Sequence, residues 1–185
     1  MTYCKLVIMP RIISFALMVI IVTSCSTSLD IQNEIECPRD IGEKVVYYAK
    51  KYVEKDTKYE WGGQDFLEKD GIIKMDCSGL IVNCFKYAIA GTKYSLLFED
   101  AAVINFYNEW TIKINDPRPG DLIFMGEDKN IPPTHMSIFV IMDNTNIDFI
   151  DATLKEEDGI NGVNQRSYLI TDPRFISFGR LLLKY

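Results

Sequence analysis

The apolar period of the chain changes at Asp116-Pro117-Arg118-Pro119-Gly120, and that change decides the fold class. This run is turn chemistry. Upstream of it the pattern is helical. Ile41, Val45, Tyr48 and Tyr52 recur at helix spacing, and Asp40 and Glu43 have the separation of a capping box, so a helix is predicted over 40–55. Leu80, Ile81, Cys84 and Ala88 form the stripe of a second helix over 77–88, ended by Gly91, and a third is expected over 99–110. Between the first two, Tyr59-Glu60-Trp61-Gly62-Gly63 has paired glycines that permit a tight backbone, and 64–75 reads as a loop or loose insert. Downstream, apolar strands are predicted over 121–125, 135–142 and 147–153, with further candidates at 166–170 and 176–183. Helices first and strands afterwards predict an α+β domain, with N-terminal helices packed on an antiparallel sheet.

The N-terminal residues are expected to lie outside that domain. Lys5 and Arg11 accompany an apolar run at 12–22, which has the length of a signal-peptide core and falls short of the ~20 residues of a membrane span. The run ends at Val22-Thr23-Ser24-Cys25. This resembles a bacterial lipobox, in which small residues precede a cysteine that is acylated and becomes the new N-terminus. Residues 1–24 are therefore expected to be a lipoprotein signal peptide, Cys25 the lipidation site, 25–36 a tether and 37–185 one domain. The protein is expected in the bacterial cell envelope, held to a membrane through its N-terminal lipid.

Charge narrows the partners. Losing residues 1–24 removes Lys5 and Arg11 from the 20 basic residues and none of the 26 acidic ones, taking the formal charge from −6 to −8. Such a chain has no basic footprint for nucleic acid, and attachment to a membrane falls to the lipid. His135 is the single histidine, which excludes a zinc site built from several. No metal or organic cofactor is expected. Cys4 leaves with the signal peptide and Cys25 carries the lipid, so Cys37, Cys77 and Cys84 remain. Three is odd, which leaves at least one unpaired thiol in an exported protein. Seven residues of helix separate Cys77 from Cys84 by about 10.5 Å, too far for a disulfide. Cys84 is expected in the core and Cys37, before Pro38, at the surface.

Asp76-Cys77-Ser78-Gly79-Leu80 sits where a loop enters the second helix. A helix N-terminus offers free N–H groups and partial positive charge, and both favour a thiolate. A thiolate there can attack a carbonyl while first-turn amides receive the oxyanion. The leaving amine still needs a proton, and His135 is the imidazole available. Its strand places His135, Ser137 and Phe139 on one face. The next strand carries Asp148 and Asp151 on opposite faces, and parity alone leaves the orienting partner open. Asp76 can be a helix cap as well as a substrate contact. Trp61 reads as core, and Arg166 and Arg180 as surface or sheet charges without a role.

Five segments in order carry a resemblance. They are Tyr59-Glu60-Trp61-Gly62-Gly63, Asp76-Cys77-Ser78-Gly79, Pro119-Gly120-Asp121-Leu122-Ile123-Phe124, His135-Met136-Ser137-Ile138-Phe139-Val140, and Phe149-Ile150-Asp151-Ala152. Over roughly residues 40–185 the chain resembles the NlpC/P60 family of papain-like cysteine peptidases. The resemblance implies a papain-like α+β fold, with Cys77 as nucleophile, His135 as general base and acid, and Asp151 as the orienting residue. It implies that Tyr59 lies beside the nucleophile and that Asp76 and Ser78 help bind a substrate amine. It further implies hydrolysis of the γ-D-glutamyl–diamino acid amide of peptidoglycan stem peptides through a thioester. The chain departs from the family pattern in a longer stretch between Gly63 and Asp76, in aspartate where the third residue is more often histidine, and in Ser137. Residues 92–110 also lack the proline- and serine-bearing stretch that commonly lines the peptidoglycan site. Two other functions fit the same residues: an amidase or acyltransferase on another amide or a lipid-linked substrate, and a non-catalytic envelope-binding pseudoenzyme.

Overall fold

The computed structural model describes residues 33–128 and 132–185. The expected signal peptide and Cys25 lie outside the described residues. Helix α1 (Arg39–Val53) buries Ile41, Val45, Ala49 and Tyr52, one stripe at helical spacing. The Asp40–Glu43 capping box does not form. Pro38 holds the N-cap position in extended backbone (φ −62°, ψ 152°), with no side-chain cap. Asp40 thereby falls inside the first turn, where its charge suits the helix dipole. Helix α2 (Cys77–Ile89) is capped by Asp76 and buries Leu80, Ile81, Cys84, Phe85 and Ala88.

Ten strands are found among the described residues: β1 (Glu34–Glu36), β2 (Thr57–Tyr59), β3 (Ile73–Met75), β4 (Ser95–Leu96), β5 (Thr111–Ile114), β6 (Leu122–Met125), β7 (His135–Met142), β8 (Asn146–Lys155), β9 (Ile160–Leu169) and β10 (Phe175–Lys184). The main sheet has the order β1-β10-β6-β7-β8-β9, all antiparallel, with β4 and β5 added along β10. Phe178 and Gly179 pair with both β5 and β6, so β10 is covered on both edges. This is the predicted α+β arrangement of helices on an antiparallel sheet.

Strand β6 is buried along its whole length, which explains its unbroken apolar sequence. Leu122 and Phe124 join the cluster made by α1 and α2, together with Met136, Ile138, Ile150 and Ala152. Ile123 and Met125 join a second cluster with Phe139, Ile147, Phe149 and Phe175. Alternation along a strand separates the two clusters onto opposite faces of the sheet. Helix α1 meets the turn before β6 at closest backbone range. A Cβ on Gly42 would lie 2.4 Å from the Pro119 carbonyl oxygen, so only glycine fits there.

Four further expectations change. The domain starts earlier than residue 37, because β1 pairs Glu34–Glu36 with Leu182–Lys184 and takes the end of the expected tether into the sheet. Cys37 is buried, since its amide continues that pairing by donating to the Leu181 carbonyl at 2.8 Å. Its thiol is pushed up to about 12, first by burial and then by the Asp121 charge. The loop at 64–75 is tied down. β3 pairs in parallel with β2, and the buried Asn83 amide donates to the carbonyls of Gln64 and Asp65 at 3.2 and 3.0 Å. Three alternating residues, Ile73-Lys74-Met75, are too short a pattern to declare a strand. The helix expected over 99–110 shrinks to a single turn, α3 (Val103–Asn105), followed by a π-helical turn at Phe106–Trp110. Phe98 holds this segment by packing on Phe106 (4.9 Å between centroids) and Trp110 (5.5 Å). These contacts favour a wide turn over a regular helix.

Arg180 is a sheet charge of β10 with a structural role. It forks onto the buried Asp121 carboxylate with two bonds of 2.9 Å and reaches Glu36 at 3.0 Å, joining β10, the start of β6 and β1.

Candidate active site

The first turn of α2 is built around the Asp76 carboxylate. Its Oδ1 accepts from the Gly79 amide at 2.7 Å and the Ser78 hydroxyl at 2.8 Å. Its Oδ2 accepts from the Gly62 amide at 2.8 Å, which ties the turn before β3 to the helix start. Asp76 is therefore a helix cap and a strut at once. Gly79 allows the two segments to meet, because a Cβ there would lie 2.3 Å from the Gly63 carbonyl oxygen. Gly79→Ala is expected to lower stability by about 2 kcal/mol, as overpacking against backbone does, and thermal unfolding measures it.

Cys77 opens this helix and is 8% exposed. It lines a cavity of about 360 Å³ with Tyr59, Asp76, Ser78 and His135. Strand β2 positions Tyr59, whose amide donates to the Asn161 side chain of β9 at 2.8 Å. Burial, then the neighbouring Cys77 and Asp76, raise the Tyr59 phenol above its ordinary value, so it stays a neutral donor at pH 7. Ala101 to Val103 and Asn105 supply another wall, from the segment that α3 organises. Trp61 is 88% exposed at this cavity instead of buried in the core, because the turn at Gly62 (φ +74°) carries it outward.

His135, at the start of β7, bonds through Nε2 to Asp151 Oδ2 at 2.6 Å. Strand register settles what parity left open, since Asp148 pairs beyond the irregularity in β7, opposite Ile141. Nε2 is occupied by the carboxylate, so Nδ1 is the ring atom left for the thiol. Burial alone would lower the imidazole, but hydrogen bonds and charge from Asp151 and Cys77 outweigh it and raise His135 to about 9.

Asp151 is fully buried on β8. Burial raises a carboxyl, but the bonds to His135 and Arg166 outweigh it and hold Asp151 below the usual carboxylate value. Arg166 is the functional residue that sequence reasoning missed. From β9 its Nε donates to Asp151 Oδ1 at 3.0 Å, and its Nη2 to Oδ2. Its guanidinium lies 5.1 Å from the Phe149 ring centre and 5.0 Å from that of Tyr168. Register brings the two together: Phe149 pairs with Arg166, so Asp151 and Arg166 share a face as diagonal neighbours. A carboxylate buried in a central strand also requires a cation.

The six predicted site residues thus occupy one place, with Asp151 behind His135 and the other five around the cavity. Sulfur, imidazole, carboxylate and guanidinium follow in sequence, an arrangement able to ionise a thiol and return its proton. Among the described residues no group of three His, Cys, Asp or Glu side chains is placed to hold a metal.

Known proteins share this frame. NlpC1 of Trichomonas vaginalis superposes with a TM-score of 0.52 at 19% identity, covering 79% of this chain and 46% of that one. NlpC2 of the same organism gives 0.52 at 21% identity, covering 79% and 48%. An NlpC/P60 family protein from Bacillus cereus gives 0.51 at 15% identity, covering 78% and 41%. The chain spans about half the length of these structures or less. At such identities the likeness concerns the fold. No curated protein matches the chain. The model of the NlpC/P60 family matches residues 56–173, well over half of the 185 residues and including Tyr59, Asp76, Cys77, Ser78, His135 and Asp151, and the chain belongs to the NlpC/P60 family.

Proposed function

We propose that this protein is a cysteine amidohydrolase of the bacterial cell envelope that cleaves the γ-D-glutamyl–diamino acid amide of peptidoglycan stem peptides. The observation that carries the reading is the His135 imidazole, fixed at Nε2 by Asp151 and lining one cavity with Cys77. His135 takes the Cys77 proton, and the thiolate attacks the amide carbonyl. Gly79 and Leu80 amides are engaged by Asp76, so the amides of Cys77 and Ser78 are the first-turn donors left for the oxyanion. The Tyr59 hydroxyl is the side-chain donor beside them. The tetrahedral intermediate collapses to a thioester as His135 protonates the leaving amine. Water, deprotonated by His135, then releases the acid and restores the thiol. Asp76 and Ser78 supply acceptors for a free amine on the acyl side. The N-terminal segment supports export and acylation at Cys25, which would hold the enzyme at a membrane.

Incubating the protein with purified muropeptides and weighing the products tests this. Expected is the appearance of a free diamino acid amine and a peptide ending in γ-D-glutamate. Intact muropeptides, with Cys77 labelled by iodoacetamide no faster than a free thiol at neutral pH, would overturn it.

A further inference from the structure

A second cavity of about 170 Å³ adjoins the first, and Thr134 and His135 line both. It lies on the sheet face that carries Asp151. Lys155, Arg166, Tyr168 and Arg174 form its polar wall, and exposed Glu127 borders it. Two of its cations are committed. Arg166 is forked onto Asp151, and Arg174 onto Asp172 at 2.8 and 2.7 Å. Lys155 differs. Its Nζ donates to the Tyr168 oxygen at 3.0 Å, and the ammonium has two further protons to offer. The Tyr168 oxygen accepts from both Lys155 and Arg166, so both lone pairs are engaged and its own O–H can only donate. Lys155 and Tyr168 thus present donors and positive charge in a recess of about 170 Å³. That is the size of a carboxylate on a short aliphatic stem.

The placement gives the cavity a role. The leaving nitrogen must receive its proton from His135, so the leaving side of a substrate passes His135, the residue that separates the two cavities. We propose that this cavity is a subsite for a carboxylate on the leaving amine, bound by Lys155 Nζ and the Tyr168 hydroxyl. The proposal rests on the amide-hydrolase reading above and specifies its substrate: an amine component that carries a negative charge.

Two peptides test it, L-Ala-γ-D-Glu-L-Lys with a free terminal carboxylate and the same peptide as its carboxamide. The carboxylate peptide is expected to show about 10-fold higher kcat/KM, mostly through KM, as one charge-assisted hydrogen bond gives. Lys155→Met equalises the two peptides, and Lys155→Arg keeps the preference. Equal kcat/KM in the unaltered protein, or a preference that survives Lys155→Met, overturns the subsite and leaves the hydrolase reading standing. If neither peptide is cut, calorimetric titration of the Cys77→Ala protein with the same pair decides. Carboxylate-dependent binding that Lys155→Met removes supports the subsite and sinks the hydrolase reading alone; equal or absent binding overturns the subsite.

Discussion

Cys77→Ala is expected to lower amide hydrolysis by roughly 10⁴-fold or more while leaving the fold in place, because removing a nucleophile deletes the covalent route and leaves only binding and oxyanion stabilisation. The structural cost is small. Cys77 is 8% exposed at a helix start, and loss of its sulfur from a cavity wall is worth about 1 kcal/mol or less. The cap is untouched, since the bonds to Asp76 come from Gly79, Ser78 and Gly62. Steady-state rates on a stem peptide, beside a thermal melt, check the claim. Turnover by the alanine variant within tenfold of the parent would remove Cys77 from the chemistry. The same variant also separates the thiols. Cys84 is fully buried with its thiol raised by burial, and Cys37 is raised to about 12. Both are inert, so iodoacetamide labelling of the folded domain should vanish with Cys77.

The α+β class was legible because it depends on long patterns. Fifteen residues of α1 and ten of β8 each repeat their period several times. What escaped is short or non-local. β1, β3 and β4 are two or three residues long, below any readable period. Cys37 looked exposed because the strand before it, Glu34–Glu36, is charged at both ends and reads as tether, yet β10 recruits it from the far end of the chain. Arg166 and Arg180 carried no local cue. Their acceptors lie 15 and 59 residues away, and an arginine on a strand looks the same before register is known. Trp61 shows the reverse error: its apolar side chain suggested burial, but a positive-φ glycine beside it set the direction. The cap was legible because it is a local device, an aspartate three residues before Gly79, and Cys77 and His135 stood out as candidates for the same kind of reason, a cysteine at a helix start and a sole imidazole.

Asp151 and Arg166 give the second large effect, and it is read in pH as well as in rate. His135→Ala should cost about 10³- to 10⁴-fold, since it removes the proton carrier. Asp151→Asn should cost less, about 10²-fold, because the imidazole remains and only its orientation and charge partner are lost. The pH profile separates positioning from mere damage. In the parent, His135 loses its proton near pH 9, so the alkaline limb of kcat/KM should fall there. Removing the Asp151 charge takes away a main cause of that raised value, and the limb should move down toward neutrality. The linkage has a definite sign. His135 is raised above its ordinary 6.5, so its contribution to stability is complete below about pH 6.5 and is lost as pH rises through about 9. In Asp151→Asn that alkaline loss should flatten. Arg166→Met acts on the other limb. Asp151 is held below the usual carboxylate value in part by Arg166, so its contribution is present above the ordinary 3.8 and lost on acidification through its lowered value. Without the guanidinium the carboxyl takes up its proton at higher pH, and the acid limb of activity should move up. The change should also cost about 3 kcal/mol, because a fully buried carboxylate loses its permanent cation. Denaturant melts and kcat/KM from pH 4 to 10 on the three variants test this. An Arg166→Met protein that loses stability while keeping the parent's acid limb would reduce Arg166 to a structural tie.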